Sequence, residues 1–339
     1  MSRIGVGIVG AGKAGSNFAR GIQGLGEQAR VVGFCTAHGK TAREAAHRFG
    51  AELGTENLSE LLRREGVDAV IVASPDRYHC EQVVAAAEAG KHVLCEKPMC
   101  RTVEEAERMI AACKDNGVIL MVGFTDRFNQ PCLEAKHRID AGEIGTPRMI
   151  LARRCHPRSV VRGRKWLNDR ETGGVLNYAG THNIDLICWY MGRPPERVYG
   201  EMGQLILSGQ DFTDCAVVTF KFPNGGIAVL YETFAYPENY PHGVDRSVEV
   251  LGERGVIKID LMSQPMEIHT AAGYTVADSL TWPQSERGLD GALRAEIEHF
   301  LNCIREGRQP MTGGEEGKLA IRIAAAAREA SETGRTVLL

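Results

Sequence analysis

Three groups of residues in this chain have types and spacings that can do chemistry. The first is Gly10-Ala11-Gly12-Lys13-Ala14-Gly15. Glycines at its first, third and sixth places follow an apolar run and open a helix, which suits a dinucleotide. The first glycine permits a tight turn, the second lets the main chain approach a pyrophosphate, and the third lets the helix pack on the strand. The helix start then turns N–H groups toward the phosphates. A plain glycine-rich turn is the bland alternative in a chain with 39 glycines. The second group is Glu96-Lys97-Pro98, at the end of an apolar strand. A lysine there is costly as filler. Beside a reacting hydroxyl it could share a proton, although a structural Glu96–Lys97 ion pair reads the same way. The third is His182 and Asp185, three residues apart where a helix begins, so that both fall on one face. The pair also raises a metal, but no third ligand stands at a persuasive spacing.

The cofactor type hangs on one position. About 20 residues beyond the glycines, NAD binders usually carry Asp or Glu for the ribose hydroxyls. Here the place is taken by Thr36, in Cys35-Thr36-Ala37-His38-Gly39-Lys40, and no carboxylate follows until Glu44. A carboxylate repels a 2′-phosphate, whereas a hydroxyl near Lys40 and Arg43 does not. NADP(H) is therefore slightly favoured over NAD(H). The other outcome is that Lys40 and Arg43 are solvated and NAD still binds.

These groups need strand ends and helix starts to hold them. Strand and helix alternate over the first 125 residues: strands Ile4–Val9, Ala29–Cys35, Val67–Ala73, His92–Cys95 and Val118–Val122, and helices Ala14–Leu25, Thr41–Phe49, Cys80–Ala89 and Glu104–Asn116. Thr102 and Glu105 form a capping box before the last of these. The alternation predicts a doubly wound parallel sheet, α/β in class. Beyond it, helices over Asn129–Asp140 and Asn183–Tyr190 accompany strands without helices between them: Arg148–Arg154, Cys215–Phe222, Ile227–Phe234, Ser247–Leu251 and Val256–Asp260. Asn224-Gly225 turns between two of these. Helices over 293–306 and 315–331 and a short strand Thr336–Leu339 close the chain. The expected division is 1–125 for a dinucleotide-binding domain and 126–339 for an α+β domain with an open, mostly antiparallel sheet and helices on one face.

Composition limits the rest. The 339 residues suit two domains. Hydrophobic residues make up 43% and charged residues 24%, with a formal net charge of −3, so neither nucleic acid nor an anionic membrane is an expected partner. No signal-peptide pattern opens the chain, and no run approaches the ~18 apolar residues of a membrane span. Ten cysteines without CxxC spacing read as free thiols in a reducing cytoplasm, the expected location.

The middle of the chain adds a resemblance. Val67–Ala73, then Ser74-Pro75-Asp76, His79 and Gly90-Lys91-His92-Val93-Leu94-Cys95-Glu96-Lys97-Pro98 resemble the Gfo/Idh/MocA oxidoreductases, named for glucose–fructose oxidoreductase and inositol dehydrogenase. The resemblance continues through Gly123–Asn129 with Arg127, Trp166, Gly173-Gly174, and Gly180-Thr181-His182-Asn183-Ile184-Asp185, to Glu296, Phe300 and the C-terminal residues. It covers essentially the whole chain, and Glu96-Lys97-Pro98 is its most specific part.

The resemblance implies hydride transfer between NAD(P) and a hydroxyl-bearing carbon of a sugar, cyclitol or related polyol. Lys97 lies beside the nicotinamide and the substrate hydroxyl, His182 is the acid/base, and Asp185 orients it. Ser74, Pro75, Asp76, His79, Glu96, Arg127 and Trp166 join Gly10 to Gly15, Thr36 and Lys40 around the cofactor. Arg127, Asn177 and Tyr178 join Lys97 and His182 around the substrate. Many members carry Asp four residues before the histidine; here it is Tyr178, which orients a hydroxyl better than it accepts a proton. Arg153, Arg154, Arg158, Arg162, Arg164 and Lys165 crowd the segment before Trp166 and suit either an acidic substrate such as a uronate or a solvated loop. Two other functions stay open: a glycosidase working by transient oxidation and elimination, and a non-enzymatic dinucleotide-sensing regulator. By analogy the open sheet packs against a second copy, giving a dimer or tetramer.

Overall fold

Six short apolar runs in the first third of the chain, each flanked by a helix or turn, assemble the first sheet. In a computed structural model the described residues are 3–162, 167, 174–240, 243–262, 267–270, 273–276, 282–286 and 288–339. The parallel strands are β1 (Ile4–Val9), β2 (Ala29–Cys35), β3 (Leu53–Thr55), β4 (Ala69–Val72), β5 (His92–Cys95) and β6 (Leu120–Val122), in the order β3-β2-β1-β4-β5-β6. Both faces must be covered, and β1 and β4 are buried at every position. The covering helices are α1 (Lys13–Gln23), α2 (Gly39–Phe49), α3 (Leu58–Arg63), α4 (His79–Glu88) and α5 (Val103–Asp115). The Thr102 hydroxyl accepts from the Glu105 amide (3.2 Å) as the capping signal expects, while the Glu105 carboxylate reaches back one residue further, to the Arg101 amide (2.8 Å). Strand order reverses between β1 and β4, and a parallel sheet opens its ligand crevice at the carboxyl ends of the strands at that place.

The chain falls into two compact units that do not follow its linear order. The first is 1–128 with 281–318, the second 129–280 with 319–339. The return of 281–318 to the first unit is not visible in an alternation pattern that ends near residue 125. It brings β15 (Gln284–Ser285), β16 (Gly288–Leu289) and α8 (Ala292–Glu306), and the core of that unit takes in Leu289, Leu293, Ile297 and Phe300 together with Ile8, Phe18, Phe34 and Leu94. The short β3 and α3 are further elements absent from the sequence-based expectation.

The second unit holds α6 (Gln130–Asp140), α7 (Thr181–Met191) and a seven-stranded sheet. Its strands are β7 (Pro147–Pro157), β8 (Arg197–Gly203), β9 (Cys215–Lys221), β10 (Ile227–Tyr236), β11 (Asp245–Gly252), β12 (Val256–Asp260) and β17 (Val337–Leu338), ordered β12-β11-β7-β10-β9-β8-β17. Every pairing is antiparallel except β10 with β7. Two-residue alternation splits this sheet into a buried face, with Ala152, Arg154, Leu230 and Glu232, and an open one, with Leu151, Arg153 and Ile227. The Asn224-Gly225 turn joins β9 to β10, with Gly225 at φ 81°. Strands β13 (Glu267–Thr270) and β14 (Gly273–Val276) form a separate hairpin, and α9 (Gly314–Thr333) begins among the residues of the first unit and ends among those of the second.

Candidate active site

In the first unit the site is built from strand ends. Each glycine of the first loop has a physical reason. Gly10 sits at φ 100°, and a Cβ there meets the Ala73 carbonyl oxygen at 2.5 Å. At Gly15 a Cβ falls 2.0 Å from the Gly10 oxygen, so only glycine lets α1 lie so close to β1. A Cβ built at Gly12 meets nothing within 4 Å, which leaves room for a pyrophosphate on that side. Ala11 and Ala14 are half-buried, and Lys13 is exposed with its ammonium 5.7 Å from the Trp282 ring. A strand-end turn, a helix N-terminus and an open Gly12 together fit a dinucleotide diphosphate.

The loop after β2 is more equivocal. The Thr36 hydroxyl donates to the His38 carbonyl (2.8 Å), and the Glu56 carboxylate accepts from the Gly39 amide (3.1 Å). Lys40 is 85% exposed along its side chain and lies 3.9 Å from Glu44. A carboxylate from the far side of β3 therefore reaches the loop that sequence alone leaves without one. Nothing in the spacing signals Glu56.

After β4 come Ser74, Pro75 and Asp76, all half-buried. Ser74 donates to Gln82 (2.6 Å). His79 is 1% exposed; one ring nitrogen lies 2.8 Å from the Ser74 oxygen and the other 3.1 Å from the Pro98 oxygen. It ties the loop after β4 to the loop after β5 and is a strut of the cofactor side. After β5, Glu96 accepts from the Lys97 amide (3.0 Å), and the Lys97–Pro98 peptide is cis. Burial pushes the Glu96 carboxyl up, opposed by Lys97 and His79. After β6, Arg127 is buried and donates to the Met311 carbonyl (2.9 Å).

A carboxyl group that sequence reading took only as a family marker belongs here too. Glu296 on α8 is fully buried and accepts from the Thr125 hydroxyl (3.1 Å). Burial, then the charge of Glu96, then Asp126 raise its pKa well above the glutamate range, against the lowering effect of Thr125. Burial raises both carboxyls, and Lys97 and His79 pull only Glu96 back down.

In the second unit the site is built on a helix and a sheet face. A π-turn over Leu176–Gly180 leads into α7. Such wide turns recur at functional sites. They carry Asn177 and Tyr178 immediately before His182. Asn177 accepts from Arg328 (3.2 Å), its carbonyl accepts from the Thr181 hydroxyl (3.2 Å), and Tyr178 lies 5.8 Å from Phe234. His182 and Asp185 are 9% and 4% exposed on the first turn of α7, on one face. Asn183 donates to the fully buried Glu232 (3.1 Å), a residue that no sequence pattern singles out.

The cationic cluster separates. Arg153 is on the open sheet face, against Asp245 (3.6 Å) and Ser247 (3.1 Å); Arg162 pairs with Glu238 (3.3 Å). Arg158 donates to the Ala235 carbonyl (3.4 Å), and among the described residues of the cluster only Arg154 turns to the buried face. Arg164, Lys165, Trp166 and Gly173 lie outside the described residues. Among the described residues no group of three or more His, Cys, Asp or Glu is placed to hold a metal ion, and no helix is long and apolar enough to cross a membrane.

Two family models match this chain. The oxidoreductase family with an NAD-binding Rossmann fold covers residues 4–124, and its C-terminal α/β domain covers 136–339. The chain belongs to the Gfo/Idh/MocA family. It is an oxidoreductase with an NAD-binding Rossmann domain, as the resemblance implies. It is 28% identical to a myo-inositol 2-dehydrogenase of Thermotoga maritima over 337 residues, 98% of either chain. It is 32% identical to a 2,7-anhydro-N-acetylneuraminate hydratase of Mediterraneibacter gnavus over 266 residues, 77% of this chain and 68% of that one. The solved myo-inositol 2-dehydrogenase of Lactobacillus plantarum superimposes with a TM-score of 0.85 at 26% identity, covering 100% of both chains.

Proposed function

We propose that the chain is a dehydrogenase of a cyclitol or sugar, removing a hydride from a carbon whose hydroxyl loses its proton to His182. The single observation that carries this reading is the retention, in one Gfo/Idh/MocA chain, of Lys97 at the end of β5 and His182 on the first turn of α7. Bound NAD supplies a two-electron hydride acceptor. The rest is the work of the chain's own groups. His182, whose ordinary pKa lies near neutrality, takes the hydroxyl proton. Lys97 donates a hydrogen bond to the developing alkoxide. Asp185 orients the imidazole, and Tyr178 and Asn177 hold neighbouring hydroxyls. Similarity to inositol dehydrogenases over the full chain length supports a polyol substrate. Nicotinamide absorbance, followed while sugars, cyclitols and uronates are offered with NAD or NADP, tests the reading. No reduction with any of them overturns it.

The two nicotinamide cofactors differ by one phosphate, and Thr36 and Lys40 favour its acceptance while Glu56 at the same loop opposes it. The family's NAD-binding domain tips the proposal to NAD(H), with NADP(H) used less well.

A second reading has its own support. The similarity to a hydratase of an anhydro sugar acid favours transient oxidation followed by elimination. Product release without net nicotinamide reduction distinguishes it from simple dehydrogenation.

The open sheet face supports self-association. Met149, Leu151, Val217, Ile227 and Leu251 stand on it, each 40–46% exposed, and the register Leu251–Met149–Ile227 makes three of them a row across three strands. Such a patch suits a second copy of the chain. Sedimentation should find a dimer or tetramer.

A further inference from the structure

Glu232 is an unusual residue for its place. It lies mid-strand on β10, on the buried face of the sheet, with no solvent exposure. An apolar side chain costs less there than a carboxylate, which must be matched by donors and charge. The matching groups are in the second unit. Asn183 Nδ2 donates to Glu232 Oε1 at 3.1 Å. Arg154, 5% exposed, is its register neighbour on β7, and Arg246 is in turn the neighbour of Arg154 on β11. The parallel register sets Arg154 and Glu232 side by side on the buried face of the sheet. The carboxylate also lies against Gly180, just before α7: a Cβ there would fall 3.5 Å from Glu232 Oε2, ordinary contact distance.

Gly180 and Asn183 are three residues apart, so they form the side of α7 against β10. His182 precedes Asn183 by one residue, about 100° around the helix. Any rotation of α7 about its axis therefore moves the imidazole. The π-turn just before α7 has a wide, irregular ladder and does not by itself set that rotation. Beside the apolar packing of α7, Asn183 donates the polar contact that ties this side of the helix to β10.

We infer that Glu232 is a positioning residue: through Asn183, with Arg154 as its counter-charge, it fixes the rotation of α7 and thereby the place of the His182 imidazole. The inference rests on the reading of His182 as the base of a polyol dehydrogenase. It adds a residue outside that constellation, acting through another and touching neither substrate nor cofactor.

The test reverses the polarity of the bond. In Asn183→Asp two carboxylates face each other across the former hydrogen bond. The turnover number should fall by about tenfold or more, the scale of a misplaced reacting group. Cofactor affinity should stay within about twofold, since the dinucleotide loop is untouched. Adding Glu232→Gln restores a bond, now donated from position 232 to position 183, and should return turnover to within about threefold of the unsubstituted enzyme. Non-additivity of this kind marks a direct pair. The 1H–13C signal of the His182 ring, identified by its loss in His182→Gln, should move in Asn183→Asp and return in the double variant. Should Asn183→Asp not fold, Asn183→Ala removes the donor without adding charge and carries the test on the same readouts, with the same loss of turnover and moved ring signal expected. Unchanged turnover and ring signal in the single variant overturn the inference, as does a double variant no better than Asn183→Asp. If the unsubstituted enzyme oxidises no polyol, the functional reading fails, while the ring signal still decides whether the 183–232 pair places the imidazole.

Discussion

The two units hold their chemistry in different ways. In the first, most candidate groups stand in the turns that follow strand ends, and the backbone is specified by residues with one conformational purpose: Gly10 at φ 100°, Gly15 where no Cβ fits, Thr102 as a cap. In the second, His182, Asp185 and Tyr178 stand on a helix and the π-turn before it, and their setting comes from a sheet face whose register joins Arg154 to Glu232. Strand-end loops bind a constant ligand, the dinucleotide, and local sequence can encode them. A helix laid on a sheet presents groups to a variable substrate, and its geometry is a product of long-range pairing. The lesson is that cofactor contacts are legible early and substrate contacts late.

The largest effects should come from the one reactive group in each unit. Lys97→Met and His182→Ala should each lower turnover by about a hundredfold or more, the ordinary scale for oxyanion and acid–base groups. Equilibrium binding of NADH should stay within about threefold in both. If His182→Ala instead loses NADH and keeps turnover, the division of labour between the units is wrong.

The dinucleotide side can be tested separately at its least decided position. Thr36→Asp should weaken NADP(H) by about tenfold or more relative to NAD(H), since a carboxylate beside a dianionic phosphate costs more than one beside two hydroxyls. Titrations with the two reduced cofactors measure this. An unchanged ratio places the ribose away from Thr36.

A subtler difference concerns Glu296. Its carboxyl is held well above the glutamate range by burial and by Glu96. The folded state therefore keeps a proton that the unfolded state releases, so stability falls as pH rises from the ordinary glutamate pKa toward the raised one. Glu296→Gln, neutral in both states, should remove that slope. Melting temperatures between pH 5 and 8 should fall less in the variant than in the parent. The difference cannot exceed about 1.4 kcal/mol per pH unit for one group. Parallel curves refute the protonated state.

What sequence alone revealed follows the same division. The individual strands and helices of the first unit, the glycine loop and the His182–Asp185 pair all depend on residues within about 20 positions of one another, and hydrophobic period and caps report such distances. β1, β2, β5 and β12 have the boundaries expected from sequence. Glu232 was hidden because it is one acidic residue in an apolar strand, and only register shows that Arg154 lies beside it and Asn183 across from it. Glu56 was hidden because it reaches the Thr36 loop from beyond β3. Residues 281–318 were assigned to the later part of the chain because no local pattern marks α8 as part of the first core.

Tyr178 offers the smallest effect and the finest test of the second unit. It stands where many relatives carry Asp, on the π-turn, with its ring 5.8 Å from Phe234. A phenol titrates near 10 and is a poor base at neutral pH. If His182 is the base, the hydroxyl of Tyr178 only orients substrate, and its loss is a loss of binding. Tyr178→Phe keeps the ring and its contact with Phe234. It should raise the Michaelis constant a few-fold and leave turnover within about tenfold, because an interaction shared by ground state and transition state acts on KM. The acidic limb of the pH–rate profile should keep its midpoint, since the titrating imidazole is unchanged. Abolished turnover in Tyr178→Phe, with most activity kept in His182→Ala, assigns the proton to the phenol. The aspartate-to-tyrosine exchange then marks a different proton path on the same helix.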